Sequence, residues 1–136
     1  MSGDPDASDE APSGAPDPRL RIRLVFHGDV MLGPGKADLL ALIRDEGSIS
    51  AAGRRMGMSW KRAWTLVDEL NHIFRAPLVE AARGGAAGGG AHLTETGHEV
   101  LALYRKLEER LAEEGGAELQ ALAALVREAD DVSDRK

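Results

Sequence analysis

Residues 47–75, GSISAAGRRMGMSWKRAWTLVDELNHIFR, constrain this chain most, because they contain two helix signatures separated by a tight turn. Ser48 and Ser59 each stand where a side-chain oxygen can accept a hydrogen bond from the first amides of a helix. Between them, Gly57 can adopt the left-handed backbone conformation that ends a helix. The sequence therefore predicts a short helix, a glycine turn and a longer helix.

The longer helix is predicted to be amphipathic, with polar and cationic residues at its start. Its apolar stripe consists of Ala63, Leu66, Val67, Leu70, Ile73 and Phe74. The residues left for solvent or a ligand at its start are Ser59, Trp60, Lys61, Arg62 and Thr65. A short helix, a turn and a longer helix with such a beginning are typical of a helix-turn-helix that reads DNA.

Composition excludes several classes of site and shows where positive charge lies. The 136 residues include no cysteine, which excludes disulfides, thiolate metal ligands and thiol nucleophiles. The net charge is -6, but residues 1–18 hold five acids and no Lys or Arg, whereas residues 48–83 hold six Lys or Arg against three acids. Positive charge is therefore local to the predicted helix-turn-helix, and we expect weak non-specific binding to DNA.

The chain is predicted to contain an acidic leader, a winged helix-turn-helix domain and C-terminal helices. Residues 1–18 lack large apolar side chains after Met1, and we expect them to be disordered, with a recognition tail as the alternative. The domain spans 19–94, beginning with a strand over 19–26, where apolar residues alternate with arginine. Gly33-Pro34-Gly35 then acts as a breaker before a helix over about 36–45.

A strand, a glycine-rich loop and a second strand are predicted directly behind the longer helix. They are the extended run 77–82, the loop 84–90 and the short strand 91–93. Glycines free backbone amides to face an anion, but the loop lacks the Gly-Lys-Ser/Thr ending of a nucleotide-binding loop. We therefore favour a wing that contacts DNA over a nucleotide site.

Residues 95–136 are predicted to form a long helix, capped by Thr94, and a shorter one over 118–128. The long helix carries an apolar seam at Leu101, Tyr104, Leu107 and Leu111. A small winged domain leaves little core to cover the apolar sides of these two helices, so we expect them to pack against a second copy of the chain in a dimer interface. Packing within the chain is the alternative.

The run GSISAAGRRMGMSWKRAW, followed by ELN, PLVEA, a glycine-rich loop and HLTETG, resembles the N-terminal domain of ModE, the molybdate-responsive bacterial regulator family. The resemblance covers about 20–115. It implies a mainly α fold with a small β wing, a dimer formed through the long helix, and a recognition helix that enters the major groove. In the family the wing carries a lysine, whereas Ala86 and Ala87 stand here and Arg83 is the nearest cation. ModE senses molybdate through β-rich domains that follow the DNA-binding domain. Since 95–136 is predicted to be helical and acidic, we expect no molybdate site in this chain.

The predicted function is sequence-specific binding of double-stranded DNA by a cytoplasmic homodimer that regulates transcription. Lys61 and Arg62 are expected to contact guanine, and Trp60 to contact a thymine methyl or a sugar, or else to pack against the preceding helix. Trp64 is expected in the core. The phosphate and wing contacts are expected from Ser48, Ser50, Arg54, Arg55, Arg83, Gly85 and Gly88.

Two other classes of function are weighed against this one. A winged fold can bind protein rather than DNA, and the salt dependence of binding would separate the two. An enzyme is disfavoured, because the histidines show no helical metal-binding pair and no nucleophile stands beside a base. We expect no cofactor and no metal site, and no run is long and apolar enough to span a membrane.

Overall fold

The computed structural model of the chain describes residues 17–81 and 90–127. They form two compact units: Arg21–Glu108, called the winged unit below, and the terminal unit, which joins 17–20 to 109–127. The elements follow one another as β1 (Leu24–His27), β2 (Val30–Leu32), α1 (Pro34–Glu46), α2 (Ile49–Arg55), α3 (Trp60–Ile73), β3 (Val79–Ala81), β4 (Ala91–Leu93), α4 (Glu95–Glu114) and α5 (Gly116–Ala124). The predicted mainly α class with small β elements is confirmed.

The predicted helix-turn-helix is present as α2 and α3, and the expected residues form its caps and turn. Ser48 Oγ accepts a hydrogen bond from Ala51 N at 3.0 Å, and Ser59 Oγ accepts one from Arg62 N at 3.1 Å. Gly57 has a φ of 72°, which side chains with a Cβ rarely adopt. These local interactions set both helix starts and the turn between them.

Close approach of α2 to α3 depends on a small residue in each helix. A Cβ built on Gly53 would lie 2.9 Å from the Cβ of Ala63, closer than side-chain carbons normally come. Both residues are buried, and Ala52 beside Gly53 is 0% exposed. The crossing of these two helices therefore requires glycine at 53, and it directs the other side of α3 toward solvent.

The helix before the motif begins two residues earlier than expected. Pro34, which was predicted to be a breaker, occupies the first turn of α1. Proline suits that position, because its missing N–H would have no partner in the helix and its fixed φ is helical. Leu39, Leu40 and Ile43 of α1 are all 0% exposed and lie at the centre of the core.

The N-terminal strand is shorter than predicted, and it has a partner that was not predicted. Residues 19–23 lie outside any strand, and β1 begins only at Leu24. β1 pairs antiparallel with β2, with Leu24 opposite Leu32 and Val25 opposite Met31. The turn between β1 and β2 contains Gly28, which has a φ of 52°. Alternation fits 19–23 sterically, but these residues have no strand to pair with, since β2 is only three residues long.

The two strands behind α3 form the base of the predicted wing. β3 and β4 pair antiparallel, with Val79 opposite Leu93 and Ala81 opposite Ala91. Gly90 forms an isolated bridge with Ser48, and Ala91 N donates to Gly47 O at 2.9 Å. The base of the wing is thereby attached to the start of the helix-turn-helix. The loop between the strands, at 82–89, lies outside the described residues.

The expected dimer seam on α4 is partly occupied by packing within the chain. Leu101 and Tyr104 are only 3% and 2% exposed and belong to the hydrophobic core of the winged unit. They therefore have no surface left for a second copy, which corrects that part of the prediction. Leu107 is half-buried, and Leu111, in the terminal unit, is 43% exposed.

Hydrogen bonds and ion pairs hold the first part of α4 to the rest of the winged unit. Tyr104 Oη donates to Ile22 O at 2.6 Å, and burial raises the pKa of its phenol. Arg105 Nη2 lies 2.9 Å from Asp38 Oδ1, and Arg105 Nη1 lies 3.1 Å from Glu108 Oε1. Tyr104 is therefore held by a hydrogen bond as well as by burial in the core.

The terminal unit contains the end of α4 and all of α5. The predicted second helix begins at Gly116 and ends at Ala124, earlier at both ends than the expected 118–128. Ala123 is buried, whereas four large apolar residues of this unit are exposed: Leu111, Leu122, Leu125 and Val126.

Candidate nucleic-acid interface

The first turn of α3 presents two cations and free backbone amides to solvent. Lys61 and Arg62 are exposed, and neither has an ion-pair partner among the residues that the structure describes. The first amides of a helix have no acceptor within it, and here only that of Arg62 is satisfied by a side-chain cap, at Ser59. Unpaired cations beside amide donors and a positive helix end attract anions.

The middle of the exposed face of α3 is polar. The helical period of 3.6 residues places one row opposite the buried stripe, and this row consists of Lys61, Thr65, Asp68 and His72. Thr65 Oγ1 donates to Lys61 O at 2.9 Å, so the hydroxyl of Thr65 keeps its acceptor capacity toward a ligand. His72 Nδ1 lies 3.7 Å from Asp68 Oδ1. Since Asp68 is acidic, the cationic part of the face is limited to the first two turns.

Two tryptophans lie one turn apart on a flank of this row. Trp60 and Trp64 are 63% and 42% exposed, and their ring centroids are 6.0 Å apart. The expectation that Trp64 belongs to the core is wrong. Position 64 lies about 110° around the helix from the middle of the buried stripe. The stripe itself, which includes Ala63 and Val67, is the side of α3 that packs against the core. With 63% of its surface exposed, Trp60 is not an anchor buried against α2.

Helix α2 contributes one free arginine and one paired arginine. Arg54 is exposed and has no ion-pair partner among the described residues, whereas Arg55 Nη1 lies 3.0 Å from Glu46 Oε2. Ser48 Oγ is engaged in its helix cap, and Ser50 is half-buried in the first turn. Arg54 is therefore better placed than Arg55 to contact a phosphate, because Arg55 would first lose its carboxylate partner.

The base of the wing carries one histidine–glutamate pair. His92 Nε2 lies 3.5 Å from Glu80 Oε1 across the β3–β4 pair, and both side chains are more than half exposed. The predicted wing contacts Arg83, Gly85 and Gly88 lie outside the described residues. The structure therefore locates where the wing begins, between the start of α2 and the end of α3.

Asn71 joins the end of α3 to the base of the wing, a role that the sequence alone did not indicate. Its Oδ1 accepts hydrogen bonds from Leu78 N at 2.8 Å and Val79 N at 3.0 Å. Its Nδ2 donates to Val79 O at 3.1 Å. The only signal in the sequence was the tripeptide ELN at 69–71, which ends in this asparagine.

Thr94 and Gly97 fix the passage from the wing into α4. Thr94 Oγ1 donates to Pro77 O at 2.7 Å and accepts from Gly97 N at 2.9 Å. Thr94 N also donates to Leu78 O at 2.9 Å. A Cβ at Gly97 would lie 2.2 Å from Leu78 O, so α4 can approach β3 only with glycine there. These contacts join Pro77-Leu78 to the segment 93–97.

Comparison with known proteins identifies relatives of the chain. It is 47% identical over 81 residues to the molybdenum-pterin-binding protein MopB of Rhodobacter capsulatus, covering 60% of this chain and 30% of MopB. It is 38% identical over 121 residues to the molybdenum transport protein ModE of Azotobacter vinelandii, covering 79% of this chain and 45% of that protein. This chain is a homologue of the ModE and Mop proteins. The DNA-binding transcriptional dual regulator ModE of Escherichia coli K12 is a further relative of this ModE-like chain, at 36% identity over 85 residues.

The fold of the ModE-like chain is also found in a solved structure. The DNA-binding domain of CbnR, crystallised with DNA, matches with a TM-score of 0.51 and 24% sequence identity, covering 65% of this chain and 95% of that one. At this identity the match establishes the winged helix-turn-helix fold. No family model matches the chain. The ModE-like chain spans 30% to 45% of the length of the curated relatives named above. In the described residues, no helix is long and apolar enough to cross a membrane.

Proposed function

We propose that this chain is a cytoplasmic regulator of transcription that binds specific sequences of double-stranded DNA as a homodimer. The observation that carries the proposal is the exposed start of α3, where Lys61 and Arg62 have no carboxylate partner in the described residues. A helix of this size fits the major groove of B-DNA. The relative in Escherichia coli, a DNA-binding transcriptional regulator, supports the same conclusion.

In this proposal the side chains of α3 read bases while α2 and the wing hold phosphates. Lys61 projects from the middle of the exposed face of α3, and Arg62 from one side of it. Either side chain can donate to guanine O6 and N7, and Thr65 Oγ1 can accept from a base edge. Ser59 and the first amides of α3 approach phosphate, as does Arg54.

The decisive experiment compares Arg62→Ala with Arg54→Ala on duplexes selected from a random pool. Loss of a bidentate base contact removes about 5- to 150-fold of discrimination, so Arg62→Ala is expected to relax preference at one base-pair position. Loss of a phosphate contact weakens all sequences alike. Arg54→Ala is therefore expected to lower the slope of log affinity against log salt by about 0.9 while keeping sequence preference.

Arg110→Ala serves as the matched control, because it removes the same charge from an exposed position of the terminal unit. We expect it to leave both sequence preference and salt slope unchanged. If Arg62→Ala binds every duplex as the unaltered protein does, the proposed orientation of α3 is refuted. If the unaltered protein binds no duplex, or shows no salt dependence, a protein partner becomes the better interpretation.

The homodimer is proposed from the exposed apolar surface of the terminal unit. Leu122, Leu125 and Val126 are 63%, 81% and 52% exposed, and Leu111 of the same unit is 43% exposed. Several large apolar side chains on so short a segment favour contact with another apolar surface. A second copy of the chain supplies the same surface, as a two-fold interface requires.

Light scattering tests the homodimer. We expect twice the chain mass of 14.5 kDa for the unaltered protein and the mass of one chain for the double variant Leu122→Asp, Leu125→Asp. A two-fold dimer also predicts a palindromic operator with half-sites about 34 Å apart or a multiple of that. A single-chain mass for the unaltered protein at micromolar concentration would refute the homodimer while leaving DNA binding by α3 open to its own test.

A further inference from the structure

The tryptophan pair on α3 has no partner within the described part of the chain that would account for it. Trp60 and Trp64 are 63% and 42% exposed, and they are the exposed large apolar residues of α3 among those described. Tryptophan normally removes a large area from water when a protein folds or binds. Two such side chains on one exposed flank therefore indicate a surface that is completed by a ligand.

The position of the pair makes it continuous with the proposed DNA-binding surface. Trp60 is the first residue of α3 and is followed directly by Lys61 and Arg62. Trp64 lies one turn later on the same flank, with the ring centroids 6.0 Å apart and the planes tilted by 57°. By the helical period, Lys61 lies next to the pair on the exposed face and Arg62 lies on the far side of Lys61. Cations on the same face favour a polyanion over an uncharged apolar partner.

The spacing of the rings is comparable to that of base pairs two steps apart. Successive base pairs of B-DNA rise by about 3.4 Å, so two rings 6.0 Å apart cover about two steps. In the major groove, the apolar group that a base edge presents is the C5-methyl of thymine. The faces of paired bases are covered by stacking and are not accessible to an indole in intact duplex.

We propose that Trp60 and Trp64 together form an apolar reading surface for thymine methyl groups in the major groove, and that Trp64 is a specificity-determining residue. This inference rests on the proposed binding of DNA by α3. Lys61, Arg62 and Thr65 would then read polar edges, while the tryptophans select thymine at one position or at two positions two steps apart. The flank of α3 thus adds a preference that the cations alone cannot supply, since hydrogen bonds do not detect a methyl group.

Replacement of thymine by deoxyuridine tests this directly, because it removes only the methyl group. The probe is the tightest duplex from the random-pool selection, with each thymine replaced in turn and the affinity measured by fluorescence anisotropy. Burial of one methyl group corresponds to about a fourfold change in affinity. We expect the unaltered protein to lose about fourfold at one thymine, or at each of two thymines two steps apart, and Trp64→Ala to be insensitive to replacement at one of them.

Trp60→Ala is the second variant, and it is expected to remove the sensitivity at the other thymine. Leu103→Ala is the matched control, since Leu103 is 61% exposed on α4 and should leave the deoxyuridine profile unchanged. The inference is overturned if both tryptophan variants keep the full profile, if no thymine position is sensitive, or if the selected duplex contains no thymine. In each of these cases continued dependence on Arg62 would leave the proposed function intact. Absence of any duplex binding by the unaltered protein would overturn both.

Discussion

Replacement of Asn71 by alanine tests how the reading helix is held to the wing. One edge of the segment 78–81, which contains β3, is hydrogen-bonded toward β4 and the residue after it. There Thr94 N donates to Leu78 O at 2.9 Å. The backbone groups on the other side of this segment bond to Asn71, at 2.8 Å and 3.0 Å from its Oδ1 and at 3.1 Å from its Nδ2. Leu78 and Val79 are only 0% and 4% exposed, so water has little access to these groups.

Alanine at 71 would leave two N–H donors and one carbonyl without a partner. Each buried group left unsatisfied costs about 1–3 kcal/mol. Taking the lower value for each of the three bonds, since the side chain is only half-buried, we expect a loss of about 3 kcal/mol in the free energy of unfolding. For a unit of this size such a loss lowers the midpoint of thermal unfolding by roughly 12–24 °C.

Circular dichroism during urea and thermal unfolding measures this loss. Asn71→Asp keeps the acceptor for the two amides but removes the donor to Val79 O, so its stability should lie between those of the unaltered protein and Asn71→Ala. His72→Ala is the control, because the neighbouring side chain is 76% exposed and its loss should change stability by less than about 0.5 kcal/mol. If Asn71→Ala loses no more than His72→Ala does, the three hydrogen bonds do not stabilise the junction.

Gly97→Ala and Tyr104→Phe test the attachment of α4, with Gly116→Ala as the control for the first. Gly97→Ala places a Cβ 2.2 Å from Leu78 O, and we expect a loss of about 1–3 kcal/mol in urea unfolding. Gly116→Ala, which meets no atom within 4 Å, should be neutral or slightly stabilising, and equal effects at the two glycines would contradict the close approach. Burial raises the pKa of Tyr104, so the neutral phenol is favoured in the folded state. Stability from this source is complete below the unfolded pKa of about 10 and declines as the pH rises above it. Tyr104→Phe should therefore show a weaker loss of stability than the unaltered protein between pH 9 and roughly pH 11 in unfolding experiments, and identical pH profiles would exclude this role.

Local features of the fold could be predicted from the sequence because neighbouring residues determine them. Ser48 and Ser59 cap helices through amides three residues away, and Gly57 adopts its left-handed conformation within a single turn. The apolar stripe of α3 follows from a period of 3.6 residues, and its first four members are buried as expected. The same period predicts that the side chains of Lys61 and Arg62 are exposed, as they are in the structure.

Features that depend on distant partners could not be predicted in this way. Residues 19–23 alternate as a strand would, but strand pairing begins at Leu24 because the partner β2 is short. Trp64 lies at the margin of the apolar stripe, where only the neighbouring elements decide whether a side chain is covered. Leu101 and Tyr104 belong to an apolar seam that suits either a dimer or an intrachain core, and Tyr104 bonds to Ile22, 82 positions away.

The sequence by itself determined the helix-turn-helix at 47–75, with its caps, its turn and the cations at the start of α3, because these depend on contacts within a few residues. Only the tertiary structure decided which of those side chains remain free. Arg55 pairs with Glu46 and Arg54 does not, while Trp60 and Trp64 remain exposed on one flank of α3. The physical reason is that exposure and ion pairing are set by the packing of one element against another, which neighbouring residues do not determine.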